Sequence, residues 1–192
     1  MKDIIEDIVQ ESVRVKEQFV KESYNDLITL ARKIASAFTS DRKLMLCGNG
    51  GSAADAQHIA AEFVNRLEME RPPLPAISLA TDSSIITCIG NDYSFNDIFT
   101  KQVKAIGLEG DVLLAISTSG NSQNVISAAE AASEMGIYVA ALTGCNGGKL
   151  KDVSDLSLIV PSERTARIQE SHILAGHIIC KLVDHILFQG GM

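Results

Sequence analysis

The chain has 192 residues, 46% of them hydrophobic, with 24 acidic against 17 basic side chains and a formal net charge of -7. That length and apolar content suit one buried core rather than two domains, and the negative balance argues against nucleic acid or an anionic membrane as partner. No apolar run approaches the roughly 20 residues of a membrane span, and Met1 opens no secretory leader, so a cytoplasmic protein is expected.

From Lys2 to about Phe38, apolar residues recur at helical spacing with a break near Ser23 to Asn25, which predicts two helices. An alternation follows: strand Lys43 to Cys47, helix Ser52 to Leu67, strand Ala76 to Leu79, then helices Ser83 to Ile89 and Phe95 to Ile106. Strand Val112 to Ile116, helix Ser122 to Met135, strand Tyr138 to Leu142 and a short helix from Gly148 to Val153 come next. Strand Leu156 to Val160 and a last helix from about Ala166 to Phe188 complete the order. Short apolar strands alternating with helices, without hairpin dipeptides, predict a five-stranded parallel sheet in a three-layer α/β sandwich. The chain reads as one domain over 1–192, with N-terminal helices over about 1–40 and the α/β core over about 43–192. Pro72-Pro73-Leu74-Pro75 is a stiff connector inside it.

In such sheets ligands sit beyond the carboxyl ends of the strands. Gly48-Asn49-Gly50-Gly51-Ser52 and Ser117-Thr118-Ser119-Gly120-Asn121-Ser122 both fall there, so the two loops are expected to face one pocket. Gly48-x-Gly50-x-x-Ala53 formally meets a dinucleotide fingerprint, but the second strand, near Ile77 to Leu79, has no acidic residue at its end until Asp82, about 30 residues after the glycines rather than the usual 20 or so for a ribose contact. A plain glycine turn is the other reading. The second loop carries more hydroxyls than capping a helix requires, which suits a phosphate held by hydroxyls and a helix N-terminus without lysine.

His58 and Glu62, four apart, project from one helix face and can grip a cation or share a proton, although a surface pair of this kind is a common accident. On the last helix, Gln169, His172, His177 and His185 stand among apolar residues, and His172 and His185 are expected to be structural. The four cysteines, Cys47, Cys88, Cys145 and Cys180, show no Cys-x-x-Cys spacing and are expected to be small buried hydrophobes in a reducing compartment.

Together, Gly48-Asn49-Gly50-Gly51-Ser52, His58 with Glu62, Gly90-Asn91-Asp92, Ile116 to Ser122, Leu142-Thr143-Gly144, and Arg167-Ile168-Gln169-Glu170 followed by His177 closely resemble the phosphoheptose isomerases. These are sugar-isomerase (SIS) domain proteins, and the resemblance runs over nearly the whole chain. It implies a flavodoxin-like αβα sandwich and an aldose–ketose isomerase acting on sedoheptulose 7-phosphate. The product would be D-glycero-D-manno-heptose 7-phosphate, on the way to ADP-heptose and lipopolysaccharide or other heptose-containing glycans.

Carried over by position, the resemblance implies one zinc per subunit on His58, Glu62, Gln169 and His177. Sugar contacts would come from Asn49, Gly50, Gly51, Asn91 and Asp92, with Glu62 and Gln169 also meeting the substrate. Phosphate contacts would come from Ser117, Thr118, Ser119 and Ser122. Glu62 and His177 are the catalytic candidates, Glu62 for the carbon-bound proton and His177 for the oxygens. The family implies a cytoplasmic homotetramer, with the long N-terminal helices used in packing and with no nucleic-acid or membrane partner. SIS-domain proteins that associate with the replication initiator DnaA look similar near Arg71 to Ile77 and Arg164 to Glu170, but they typically lack the carboxylate and second histidine retained here. A regulator without turnover, or an isomerase of another sugar phosphate, is the alternative.

One difficulty is geometric. Gln169 and His177 stand eight residues apart, about 12 Å of rise on a single helix. Either the last helix begins at or after Gln169, or the two side chains serve a cation from different subunits.

Overall fold

The structure is a computed structural model and describes residues 1–190. The last two residues of the domain expected from the sequence lie outside the described residues. A first helix, α1 (Lys2–Thr39), leads into β1 (Leu44–Gly48), α2 (Gly51–Val64) and β2 (Ala76–Ser78). Helices α3 (Ser83–Asp92) and α4 (Thr100–Ile106) flank a 3₁₀ turn at Phe95–Asp97. Strand β3 (Val112–Ser117), helix α5 (Gln123–Glu134), strands β4 (Tyr138–Gly144) and β5 (Leu156–Val160), and helix α6 (Thr165–Phe188) follow, with a 3₁₀ turn at Lys149–Val153.

All strand pairs are parallel, in the order β2-β1-β3-β4-β5. Because side chains alternate across a strand, β1 sends Leu44 and Leu46 to one face and Met45 and Cys47 to the other. The first face packs with Phe19, Leu30 and Ile34 of α1, Ile59 and Phe63 of α2, and Ile168, Ile179 and Val183 of α6. The second meets Ile89 of α3, Val103 of α4, and Val125, Ala128 and Ala129 of α5. Three layers therefore enclose a sheet buried on both sides, as the near-continuous apolar strands require. Strand order reverses between β1 and β3, so the loops after those two strands flank the crevice where such sheets bind ligands.

Several boundaries differ from the sequence reading. The N-terminal segment is one helix of 38 residues, because Ser23, in the expected break, is buried on the packed side and no proline or glycine interrupts the turn. Cys47 and Cys180 are buried, but Cys88 and Cys145 are exposed. By length and composition α6 could cross a membrane, contrary to the reading that nothing approaches a span. Its apolar face is instead core, with Ile168, Ala175, Ile179 and Val183 buried against α1 and α2. It begins at Thr165, so Gln169 and His177 share one continuous helix and the first way around the Gln169–His177 spacing is not taken.

His172 is buried, and its Nε2–H donates to the Thr143 carbonyl at 3.0 Å. His185, by contrast, is exposed and pairs with the Gln189 side chain, so it is not a core histidine. Burial, opposed by that carbonyl bond, pushes the His172 imidazole down to about 4 from its ordinary 6.5. The unfolded chain therefore takes up this proton first. The contribution of a neutral His172 is fully present above pH 6.5 and falls away as pH drops toward 4, at up to about 1.4 kcal/mol per pH unit. Urea unfolding across that window should show the loss in the native chain and a shallower dependence in His172→Gln. An unchanged slope would remove His172 from this role.

Candidate active site

Strand β1 ends in Gly48, and the chain turns through Gly50, whose φ of 56° only glycine adopts without strain, into the first turn of α2. The tight turn starts α2 directly beyond the sheet edge. Two and three turns along it, His58 and Glu62 fall on one face. Helix α6 runs alongside in the same direction: Gln169 lies over Gly51, Gly176 against Ile59, and His177 against His58. A β-carbon at Gly51 would collide with the Gln169 amide, and one at Gly176 would run into Ile59.

This parallel run brings three ligand-type groups together. His58 Nε2 is 3.0 Å from His177 Nε2 and 3.3 Å from Glu62 Oε1, and the ligand atoms of the three residues all lie within 4.8 Å of one another. A tetrahedron with metal–ligand bonds of about 2.0–2.1 Å has edges of about 3.3 Å, so two imidazole nitrogens and a carboxylate oxygen at these separations fit a zinc-like cation. Gln169 belongs to a different level of the same groove, two turns earlier on α6 and beside the start of α2. One turn before His58, Asp55 has a buried Oδ2 without a hydrogen-bond partner among the described residues. Burial pushes its carboxyl up to about 6 against the opposing pull of His58.

The hydroxyl loop follows β3, the neighbour of β1 in the sheet. Gly120 has a φ of 65° and lies against the Gly147 backbone, where a β-carbon would clash with the carbonyl. Loop carbonyls are committed to neighbours: Ser117 accepts from Gly120, Thr118 from Gly144, and Gly120 from Leu150, at 2.9–3.0 Å. Ser122 is the N-cap residue of α5, yet its hydroxyl pairs with Ser117 Oγ at 3.0 Å rather than capping the helix. Asn121 braces the loop, donating to the Ser119 carbonyl and accepting from the Lys149 N–H. The Ser117 and Ser122 hydroxyls thus meet at the start of α5, and Ser119 Oγ accepts from the Asn121 N–H beside it. The N–H groups and dipole of a helix start favour an anion.

Asn49 and Asn124 join the two loops through a reciprocal amide pair, at 2.8 and 2.9 Å. Asn124 was not foreseen from the sequence, since a polar residue in a first helical turn is ordinary. Asn91 and Asp92 end α3, exposed and bonded to each other at 2.8 Å, and among the described residues no hydrogen bond ties them to the three-residue cluster or the hydroxyl loop. Asp82 is the N-cap of α3 and accepts from the Ile85 N–H, so its carboxylate is used in capping. Burial pushes the Cys47 thiol up to about 12, and Cys180 is raised by burial and then by Asp184 and Glu62, so neither is a nucleophile near neutrality.

The SIS domain model matches residues 9–144, so an SIS domain is the class that fold and crevice define. A phosphoheptose isomerase from Nitratidesulfovibrio vulgaris is 54% identical over 179 residues, covering 93% of this chain and 86% of the relative. The solved phosphoheptose isomerase of Neisseria gonorrhoeae superposes with a TM-score of 0.89 at 46% identity, covering 95% of this chain and 98% of that one. That of Francisella tularensis gives 0.90 at 42%, over 95% and 97% of the two chains. The chain belongs to the phosphoheptose isomerase family of SIS domain proteins and is an enzyme. A regulator without turnover is set aside on that ground.

Replacing Asn124 by Ala leaves the Asn49 amide half-buried without its partner, at a cost of about 1–3 kcal/mol. Thermal unfolding of Asn124→Ala should show that loss. Wild-type stability would mean that the amide pair does not couple the loops.

Proposed function

We propose that the chain interconverts sedoheptulose 7-phosphate and D-glycero-D-manno-heptose 7-phosphate, the first step toward ADP-heptose for lipopolysaccharide or other heptose-containing glycans. This reading is supported by the convergence of His58, Glu62 and His177 on α2 and α6, together with the amide pair Asn49–Asn124 that ties the loop before α2 to the first turn of α5 beyond the hydroxyl loop. The proposed anion cradle is Ser117, Thr118, Ser119 and Ser122, and its grip on the phosphate orients the sugar chain. Asn49, Gly50, Gly51, Asn91, Asp92 and Gln169 are the proposed contacts to the sugar.

Going from ketose to aldose, a base removes a proton from C1 while the C2 oxygen gains one, which gives a 1,2-enediol. O1 then gives up its proton as C2 takes one from the same base. Glu62 is the proposed base on carbon, and His177 exchanges protons with the two oxygens. A zinc ion held by His58, Glu62, Gln169 and His177 would supply Lewis acidity toward the carbonyl oxygen. Gln169 stands two turns from His177 on one helix, so its place in that ligand set is proposed to be completed across a subunit boundary.

Assembly into a homotetramer, in the cytoplasm, is part of the same proposal. The first half of α1 leaves Ile4, Ile5, Ile8, Val9 and Val13 exposed in a stripe, more apolar surface than a free helix usually presents.

Glu62→Gln keeps the shape of the side chain and removes the base, so kcat for heptulose 7-phosphate should fall by at least about 100-fold with the fold intact. Near-normal turnover would exclude Glu62 as base, and turnover indifferent to a strong chelator would exclude the metal. Sedimentation should give the mass of four chains. A monomer would overturn the shared site.

A further inference from the structure

The connector between α2 and β2 contains Arg71, whose side chain is 1% exposed and faces Asp184 of α6, itself 4% exposed. Its Nε donates to Asp184 Oδ1 at 2.9 Å. The rest of the guanidinium turns to the end of α2, donating to the carbonyls of Glu62 at 2.9 Å, Phe63 at 2.7 Å and Asn65 at 3.1 Å, and to that of Pro72 at 3.2 Å. A cation at a helix C-terminus satisfies carbonyls that lack helical partners and offsets the dipole. Lysine, a point charge on a flexible stem, cannot span a carboxylate and several carbonyls with one rigid fork.

The position of this clamp matters more than its strength. One end holds the backbone carbonyl of Glu62. The other holds Asp184, seven residues after His177 and so about two turns further along the same side of α6. Both helices that supply the three-residue cluster are therefore tied to one group just beyond it. Stability alone would not require an ion pair here, because a buried pair can often be exchanged for apolar side chains without loss.

We infer that Arg71, together with Asp184, is a positioning residue that sets the distance between the His58–Glu62 face of α2 and His177 of α6. The inference rests on the functional reading above. The test compares the native chain with Asp184→Asn, Arg71→Lys and the double variant Arg71→Met/Asp184→Leu, which removes the charges but keeps apolar bulk. Three quantities are read: the melting temperature of the metal-free protein, Zn²⁺ affinity by competition with a chromophoric chelator, and kcat and KM separately.

The double variant should melt close to the native chain yet bind Zn²⁺ about 10–100-fold more weakly, the range for residues that orient metal ligands. Its kcat should fall by a similar factor with KM little changed. Asp184→Asn should show the same two losses. Native affinity and kcat in a stable double variant would overturn the assignment. If the double variant does not fold, Arg71→Lys decides: loss of both quantities in a folded protein supports the fork, and native values overturn it. A native chain with neither Zn²⁺ affinity nor turnover would overturn the functional reading and this inference with it, a pattern distinct from the other outcomes.

Discussion

The site depends on how closely two helices can lie. Helices α2 and α6 follow different strands yet run side by side in one direction over the same face of the sheet, and at Gly176 the gap is filled by Ile59. A helix repeats every 3.6 residues, so once Gly176 meets Ile59, other positions meet as well: His177 with His58 beside that contact, and Gln169 with Gly51 two turns earlier on both helices. Widening the gap by a methyl group would separate the two imidazoles, whatever their own preferences. Packing density, through a residue without a side chain, therefore comes before the chemistry.

The second half of the crevice is built differently. The hydroxyl loop is held by backbone, with Gly120 against Gly147 and carbonyls committed to neighbouring N–H groups. That leaves side-chain hydroxyls as the adaptable part, in a chain whose net charge of -7 offers an anion no general attraction. A cradle of dipoles and hydroxyls can discriminate an anionic tail by shape where a cluster of lysines would hold any anion. Because β1 and β3 are neighbours in the sheet and their helices go to opposite faces, the two halves meet at the reversal of strand order, linked by Asn49 and Asn124.

Much of this was legible in the residues, and the failures have physical causes. Strand identity was readable because buried parallel strands are short apolar runs, and Leu44 to Gly48 and Val112 to Ser117 are such runs. The pairing of His58 with Glu62 follows from helical spacing alone. Its partner across the groove, His177, was identified only by resemblance, since contact between two helices over a hundred residues apart leaves no local trace. Ser23 misled because low helix propensity is a small effect that packing overrides. Arg71 escaped notice as a site-building residue because an arginine in a proline-rich connector resembles a solvated charge, and only burial reveals otherwise. Cys88 and Cys145 stand exposed where cysteine's usual preference predicts burial.

Strand β2 has only three residues and forms one margin of the sheet, entered through Pro72, Pro73 and Pro75. Prolines carry no amide hydrogen, and so brief a ribbon offers a foreign strand too few bonds to gain a foothold. Growth of the β-structure from copy to copy is thereby blocked at that border.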